Sequence, residues 1–266
     1  MHPFDRPLSD YARIAVIGAG GKTSICRALT GGLPGTCVYA TTTHMFRPEE
    51  DLICLEMPSP SELEQALARH KKVALCGPES KPGSEKTTFP GDALYQTACR
   101  LADHVILEAD GARGRHIKLH GENEPVIPEN VELVLAVASL EALGRPLGAV
   151  VHREERIERV FQKGPEEPVT EAEIALALAL ACKFHPNALP VLNRVQDEGA
   201  AERVSALLRD RFSLPCLCLN RFGNGVGNGT FLECQHVGGI FLGLEAGFQK
   251  GYQNAGHQAA GEAPVV

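Results

Sequence analysis

The stretch Arg13-Ile14-Ala15-Val16-Ile17-Gly18-Ala19-Gly20-Gly21-Lys22-Thr23-Ser24 decides how this chain is read. The β-branched run Ile14 to Ile17 has strand character. A glycine-rich turn follows it. Lys-Thr then opens a helical pattern from Lys22 to about Leu33, with Ile25, Ala28 and Leu29 on one face and Pro34-Gly35 as its stop. Strand, glycine turn and helix in this order make a phosphate-binding loop. Glycines let backbone N–H groups crowd around phosphate oxygens, and the free N–H groups and positive dipole end of the helix favour an anion. Gly18, Gly20, Gly21 and Ser24 belong to that loop and first turn. Lys22 is expected on the outer phosphates, and the Thr23 hydroxyl is expected as a Mg²⁺ ligand.

The loop is shorter than either common fingerprint. Val16 stands where the long P-loop pattern has its first glycine, and Thr23 stands where the dinucleotide pattern has its third. The remaining G-x-G-G-K-T resembles the compact loop of Mur-type ligases. A plain strand-to-helix turn carrying a surface lysine is the competing reading. It explains less, because loop, lysine, hydroxyl and flanking elements all agree.

A second stretch, His104-Val105-Ile106-Leu107-Glu108-Ala109-Asp110-Gly111-Ala112, is an apolar strand ending in two carboxylates at i and i+2. Both then point to the same side. Paired like charges are costly unless a cation compensates them. In a nucleotide enzyme, carboxylates at such a strand end hold Mg²⁺ or position a nucleophile. Glu108 and Asp110 are therefore candidate metal ligands and, with Lys22, candidate catalytic residues. The competing reading is a strand cap with an Asp-Gly turn.

Two further stretches stand at strand ends. Thr41-Thr42-Thr43-His44 follows the second strand, Thr36 to Ala40, at the place where open α/β sheets bind ligands, so Thr42, Thr43 and His44 are expected to line the cleft. Arg113-Gly114-Arg115-His116-Ile117-Lys118 follows the carboxylates with four cationic or ionisable side chains that could clamp an anion, Arg113 and Arg115 being the candidate clamps; a solvated turn is the competing reading. Asn193-Arg194-Val195-Gln196-Asp197 is similar to the guanine-reading element of GTPases, but Asp197 comes one place late, which favours a strand-end turn.

The chain has 266 residues, enough for a large buried core. Its net charge of -7 argues against a general nucleic-acid binder. Nine scattered cysteines without C-x-x-C suggest a reduced, cytoplasmic protein that uses cysteine as a small apolar residue. The longest apolar run, Ile174 to Cys182, is too short to span a membrane. Further helices are expected over Glu62–His70, Gly91–Ala102 (with Ala93, Leu94, Ala98 and Leu101 inward), His152–Lys163, Glu171–Cys182 and Gly199–Arg211. Further strands are expected over Lys72–Cys76, Val131–Ala138, Leu189–Leu192 and Pro215–Leu219. Residues 77–90 read as a surface loop, Gly223 to Gly229 as a flexible loop, and Thr230 to Leu244 as one or two more strands. Such alternation predicts a doubly wound α/β fold with a mostly parallel sheet of P-loop NTPase type. One domain spans 1–245, and a polar Gly/Ala-rich tail over 246–266 is expected to be disordered.

Three segments together resemble one family: Val16 to Ser24, Ala40 to His44, and Leu107 to Lys118 running on to Glu124-Pro-Val-Ile-Pro128. They look like the YqeC family of selenium-dependent molybdenum hydroxylase accessory proteins. Val151-His-Arg153, the capping box at Thr170 and the strand end Leu192-Asn193 fall in the expected order, so the resemblance covers roughly 10–220. It departs at Leu119-His120-Gly121, where the family tends to have Ala-Pro. The resemblance implies a P-loop-like nucleotide-binding protein, and the glycine loop with the carboxylate pair makes ATP or GTP and Mg²⁺ the expected cofactors. It implies a molybdenum hydroxylase or its cofactor-maturation proteins as partners. The expected function is thus a Mg²⁺-dependent nucleotide hydrolase or a phosphoryl or nucleotidyl transferase. The alternatives are a non-catalytic nucleotide- or cofactor-binding module that docks on a partner enzyme, and a Mur-like ATP-dependent ligase.

Overall fold

The computed structural model describes residues 6–48, 52–221 and 232–235; the side chains beyond Leu219 are not described. The elements follow the chain as β1 (Arg13–Gly18), α1 (Lys22–Gly32), β2 (Cys37–Thr41), β3 (His44–Phe46), β4 (Ile53–Glu56), α2 (Pro60–His70), β5 (Lys72–Cys76), β6 (Lys86–Thr88), α3 (Asp92–Leu101), β7 (His104–Glu108) and β8 (Ile117–Lys118). Then come β9 (Leu133–Ser139), α4 (Leu147–Val150), β10 (Val151–His152), α5 (Ile157–Phe161), α6 (Glu171–Cys182), β11 (Ala188–Asn193), α7 (Glu198–Phe212), β12 (Leu217–Arg221) and β13 (Leu232–Gln235).

Among the described residues, nine strands form one sheet in the order β4-β5-β2-β7-β1-β9-β11-β12-β13. All neighbours are parallel except the edge pair β12–β13. Helices cover both faces, so the fold is α/β and doubly wound. Burial on both faces explains why β1, β7 and β9 are continuous apolar runs rather than alternating ones. Ile14 and Val16 pack with Ile25 and Leu29 of α1, while Ala15 and Ile17 pack on the opposite face with Leu63 of α2, Tyr95 of α3 and Ala181 of α6. Each such Ile, Val or Leu side chain removed from water contributes about 1.5–3 kcal/mol. Helix α6 is buried around most of its circumference, as its apolar composition requires, and the Thr170–Glu173 capping box starts it.

The strand order places the site. From β1 the chain moves to β2, β5 and β4 on one side. It returns as β7 between β1 and β2, and then continues outward on the other side as β9, β11 and β12. The winding reverses beside β1, which opens a crevice at the carboxyl ends of the central strands. The register aligns Glu108 with both Val16 and Thr41, Gly18 with Val137, and Asn193 with Ser139.

Three local expectations are corrected, and one strand is added. The helix expected over His152–Lys163 is broken. Val151–His152 pairs in parallel with Ile117–Lys118 as a separate two-stranded sheet, Arg153 turns left-handed at φ 78, and helix resumes only at Ile157–Phe161. Backbone bonds from His116 N to Val150 O and from Leu119 N to His152 O fix that segment as extended, which the local amphipathic period cannot reveal. Within the loop expected over 77–90, Lys86–Thr88 forms an antiparallel ribbon with His44–Phe46. The edge strand β4 had no counterpart in the sequence reading. On α3, Ala93 is exposed and Tyr95 is the buried anchor, its hydroxyl donating to Asn130 Oδ1 at 2.6 Å. The glycine loop at 223–229 and the tail at 246–266 lie outside the described residues. Among the described residues, no helix is long and apolar enough to cross a membrane.

Candidate functional site

The glycine turn is forced by its surroundings. Gly18, Gly20 and Gly21 have φ of 96°, 82° and 122°, a region that L side chains rarely occupy. A Cβ on Gly18 would meet Val137 O at 2.2 Å, one on Gly20 would meet Ser139 Cβ at 2.5 Å, and one on Gly21 would meet Asn193 Nδ2 at 2.3 Å. The turn is also tied from outside. Gly18 N donates to Asp110 Oδ2 at 2.8 Å, Ala19 N to Val137 O at 2.9 Å, Gly20 N to Arg115 O at 3.0 Å, and Asn193 Nδ2 to Gly20 O at 2.8 Å. Those three amides are engaged within the protein, so the donors open to a ligand begin at the first turn of α1. No side chain caps that helix, and Thr23 and Ser24 are exposed there.

Lys22 folds back over the turn and is buried. Its Nζ donates to Gly18 O at 2.8 Å and lies 3.1 Å from Asp110 Oδ1 and 3.9 Å from Glu108 Oε1. The two carboxylates at i and i+2 do face the same cation, but their surroundings differ. Glu108 Oε2 accepts from the Thr23 hydroxyl at 2.9 Å and from the Tyr39 hydroxyl at 3.1 Å. Burial pushes the Tyr39 phenol up, so it remains a donor. Asp110 is fully buried. Burial alone would raise its pKa, but Lys22, the hydrogen bond from His120 at 2.7 Å and Lys118 at 3.4 Å together hold it down at about 2. An ionised carboxylate only accepts, so His120 carries a proton on Nε2.

Asp110 is therefore a buried anion held by three nitrogen-bearing side chains and a backbone amide. Each carboxylate keeps one oxygen that faces only the Lys22 ammonium, Glu108 Oε1 at 3.9 Å and Asp110 Oδ1 at 3.1 Å. Among the described residues, no group of three or more His, Cys, Asp or Glu is placed to hold a metal. Mg²⁺ asks less of a protein, because it is usually held by one or two carboxylates, waters and substrate phosphates. Glu108 with the Thr23 hydroxyl fits that demand; Asp110 Oδ2 is engaged, while its Oδ1 is buried without a hydrogen-bond partner, 3.1 Å from Lys22 Nζ.

The threonine cluster divides. Thr41 donates to Glu108 O at 2.8 Å and Thr42 to Val126 O at 2.7 Å, so these hydroxyls pin strand ends together. The Thr43 hydroxyl is buried without a hydrogen-bond partner. His44 opens the β3–β6 ribbon and is exposed.

The basic run after β7 also divides. Lys118 turns inward to Asp110 and, at 3.2 Å, to Glu124, while His116 lies near Glu141 and Arg145. Arg113 and Arg115 line an adjoining cavity of about 370 Å³, with Arg115 donating to the carbonyls of Gly148 and Ala149. Asp197 caps α7 by accepting from Ala200 N, which is the strand-end turn rather than a base reader.

Sequence reasoning missed Tyr39, His120, Glu124, Ser139, the inward turn of Lys118 to Asp110 and the clamp role of Asn193. One signal was present. Ile117-Lys118-Leu119-His120 alternates apolar and ionisable residues, which on an extended segment puts both ionisable groups on one face.

Fold and site define a doubly wound α/β protein with a glycine turn, a buried lysine and a carboxylate pair at its switch point. The YqeC protein family model matches residues 14–155, which span every element of this site up to β10. An uncharacterized protein YqeC of Escherichia coli K12 is 34% identical over 181 residues, covering 65% of this chain and 68% of that relative. The chain belongs to the YqeC family. No solved structure matches it.

Proposed function

We propose that the protein binds a nucleoside triphosphate with Mg²⁺ at the glycine turn and acts as a nucleotide hydrolase or a phosphoryl or nucleotidyl transferase. The observation that carries this reading is the placement of Lys22. A buried ammonium sits at the mouth of an uncapped helix, balanced by Asp110 and bonded to the turn through Gly18 O. An anion at the first turn of α1 gains the helix N–H groups and the nearby Lys22 charge. Gly20 and Gly21 keep the backbone close enough for that approach. Lys22 would move from Asp110 toward the outer phosphates, where it neutralises charge that develops on transfer. Asp110 would stay ionised through this exchange, because Lys118 and His120 continue to hold it.

Thr23 and Glu108 would hold Mg²⁺, which would supply positive charge to offset that of the phosphates. Glu108 would also orient a water through its Oε1. The Thr43 hydroxyl, without a partner inside the protein, is available to a ligand at the end of β2. The resemblance to accessory proteins of a selenium-dependent molybdenum hydroxylase extends the proposal to a role in that enzyme's maturation. The base, ATP or GTP, is left to measurement.

The test is a thermal-shift titration with ATP, GTP, CTP and NAD, each with and without Mg²⁺. Ligand at about a hundred times its dissociation constant stabilises a fold by about 2.7 kcal/mol, a rise of a few degrees in a chain of this size. A Mg²⁺-dependent rise with one triphosphate, lost in Lys22→Ala, supports the proposal. No rise with any nucleotide in the folded wild-type protein overturns it.

A further inference from the structure

Beyond Asp110 the wall of the crevice opens into the cavity of about 370 Å³ whose lining includes Gly111, Arg113, Arg115, Glu124, His152 and Arg153. That volume lies within the range of small-molecule sites. Three guanidinium groups from two separate segments converge on it. Arg115 is oriented by two carbonyl groups at the end of α4, and Arg153 by Glu124 at 3.0 Å. Arg113 makes no hydrogen bond or ion pair with any described residue. Arg113 and Arg153 both adopt left-handed backbone conformations, with φ of 48° and 78°. Such conformations are uncommon for arginine and gather at ligand sites, where the fold holds them against their local preference. The facing carboxylate, Glu124, is already held by Lys118 at 3.2 Å as well as by Arg153, so it does not neutralise Arg113 or Arg115. Glu154 and Glu155 also line the cavity; both are exposed to solvent, and Glu155 lies 4.0 Å from Arg153.

We infer that this cavity is a second binding site, separate from the glycine turn, for a small molecule bearing a carboxylate or phosphate group. Planar guanidinium groups match such oxyanions in bidentate fashion, and two of the three are already oriented before a ligand arrives. Arg113 and Arg153 grip the oxyanion, and Arg115 sets the charge of the inner wall. His152 offers a ring nitrogen to the remainder of the ligand. The site joins the glycine turn through the chain Arg153–Glu124–Lys118–Asp110–Lys22, whose successive distances are 3.0, 3.2, 3.4 and 3.1 Å. An oxyanion that takes Arg153 from Glu124 therefore alters the charges that hold Lys22. The site itself does not depend on whether the turn takes a nucleotide.

The experiment is calorimetric titration of the full chain at low ionic strength with citrate and with glycerol 3-phosphate. Each is run alone and with a saturating non-hydrolysable triphosphate and Mg²⁺. The expected result is binding of at least one probe, retained with the triphosphate present and weakened about tenfold, about 1.4 kcal/mol, in Arg113→Asn and in Arg153→Gln. Asn tolerates the left-handed backbone at position 113, and Arg113 has no partner to lose, so that variant should melt with the wild type. Citrate alone binding names a carboxylate ligand, and glycerol 3-phosphate alone names a phosphate. Failure of both probes to bind up to about 20 mM, or binding that neither arginine variant weakens, overturns the inference. Probe binding without any nucleotide binding would leave this site standing and remove the proposed function. Nucleotide binding without probe binding would do the reverse.

Discussion

The Lys22 ammonium lies 3.1 Å from the carboxylate of Asp110, and both side chains are buried. The pair joins the first turn of α1 to the residue just past β7. A buried charge is costly unless it is both paired and hydrogen-bonded, and Asp110 meets both conditions through Gly18 N, His120 and Lys118.

Replacing Lys22 with Met removes one partner and leaves the anion. Breaking a buried pair in this way usually costs about 3–5 kcal/mol. Lys118, His120 and Gly18 N still hold Asp110, so the loss should fall at the lower end of that range. Urea unfolding of the variant measures it, and a change below about 1 kcal/mol would show that Lys22 does not stabilise the empty protein.

Acid stability depends on the same residue. The pKa of Asp110 is held down at about 2 against an ordinary value of 3.8, so the folded state favours the ionised form. The stabilisation is complete above about pH 4 and is lost as pH falls toward 2. Its size is about 2 kcal/mol at about 1.4 kcal/mol per unit. Asp110→Asn should flatten the fall in stability across that window. If wild type and variant lose stability in parallel from pH 5 to 2, the network does not titrate as described.

Steric demand at the turn separates two glycines that share a backbone conformation. Gly20 and Gly83 have φ of 82° and 75°, but only Gly20 lacks room for a Cβ, which would meet Ser139 at 2.5 Å. Gly83→Ala should cost about 1 kcal/mol from backbone strain alone. Gly20→Ala should cost at least about 2 kcal/mol more, because Ser139 and the β9 backbone must shift. Equal melting temperatures for the two variants would contradict the close packing of the turn.

Among the described cysteines, Cys54 should react first with an alkylating agent. Its Sγ lies 2.7 Å from Cys76 Sγ, and the hydrogen bond from Cys76 lowers its pKa to about 7 while the Cys76 pKa rises. Burial pushes Cys26 up, and it stays a thiol. Thiolate is the reactive form. Labelling with iodoacetamide near pH 7, followed by peptide mass spectrometry, should place modification at Cys54 well before Cys26. Equal rates would argue against the paired thiols.

The glycine turn was legible in sequence because its requirements are local. Only glycine accepts the three positive φ angles, and Lys22-Thr23 follow within the same turn. The carboxylate pair was legible for a similar reason, since i and i+2 share a side on any extended segment. Lys118 and His120 were not read as partners of Asp110, because their inward turn depends on β8 pairing with β10, more than thirty residues further on. The helix expected from His152 failed on the same pairing.

By itself, the sequence determined the alternation of strand and helix, the apolar character of the central strands and the place of the glycine turn. Each of these follows from apolar periodicity or from glycine conformation within a few residues. Only the tertiary structure decided the strand order, the closure of the turn by Asn193 and Ser139, and the balance of charge around Asp110. Those features join residues as far apart as Gly20 and Asn193, and a contact of that span is set by sheet order and register, which no local pattern encodes.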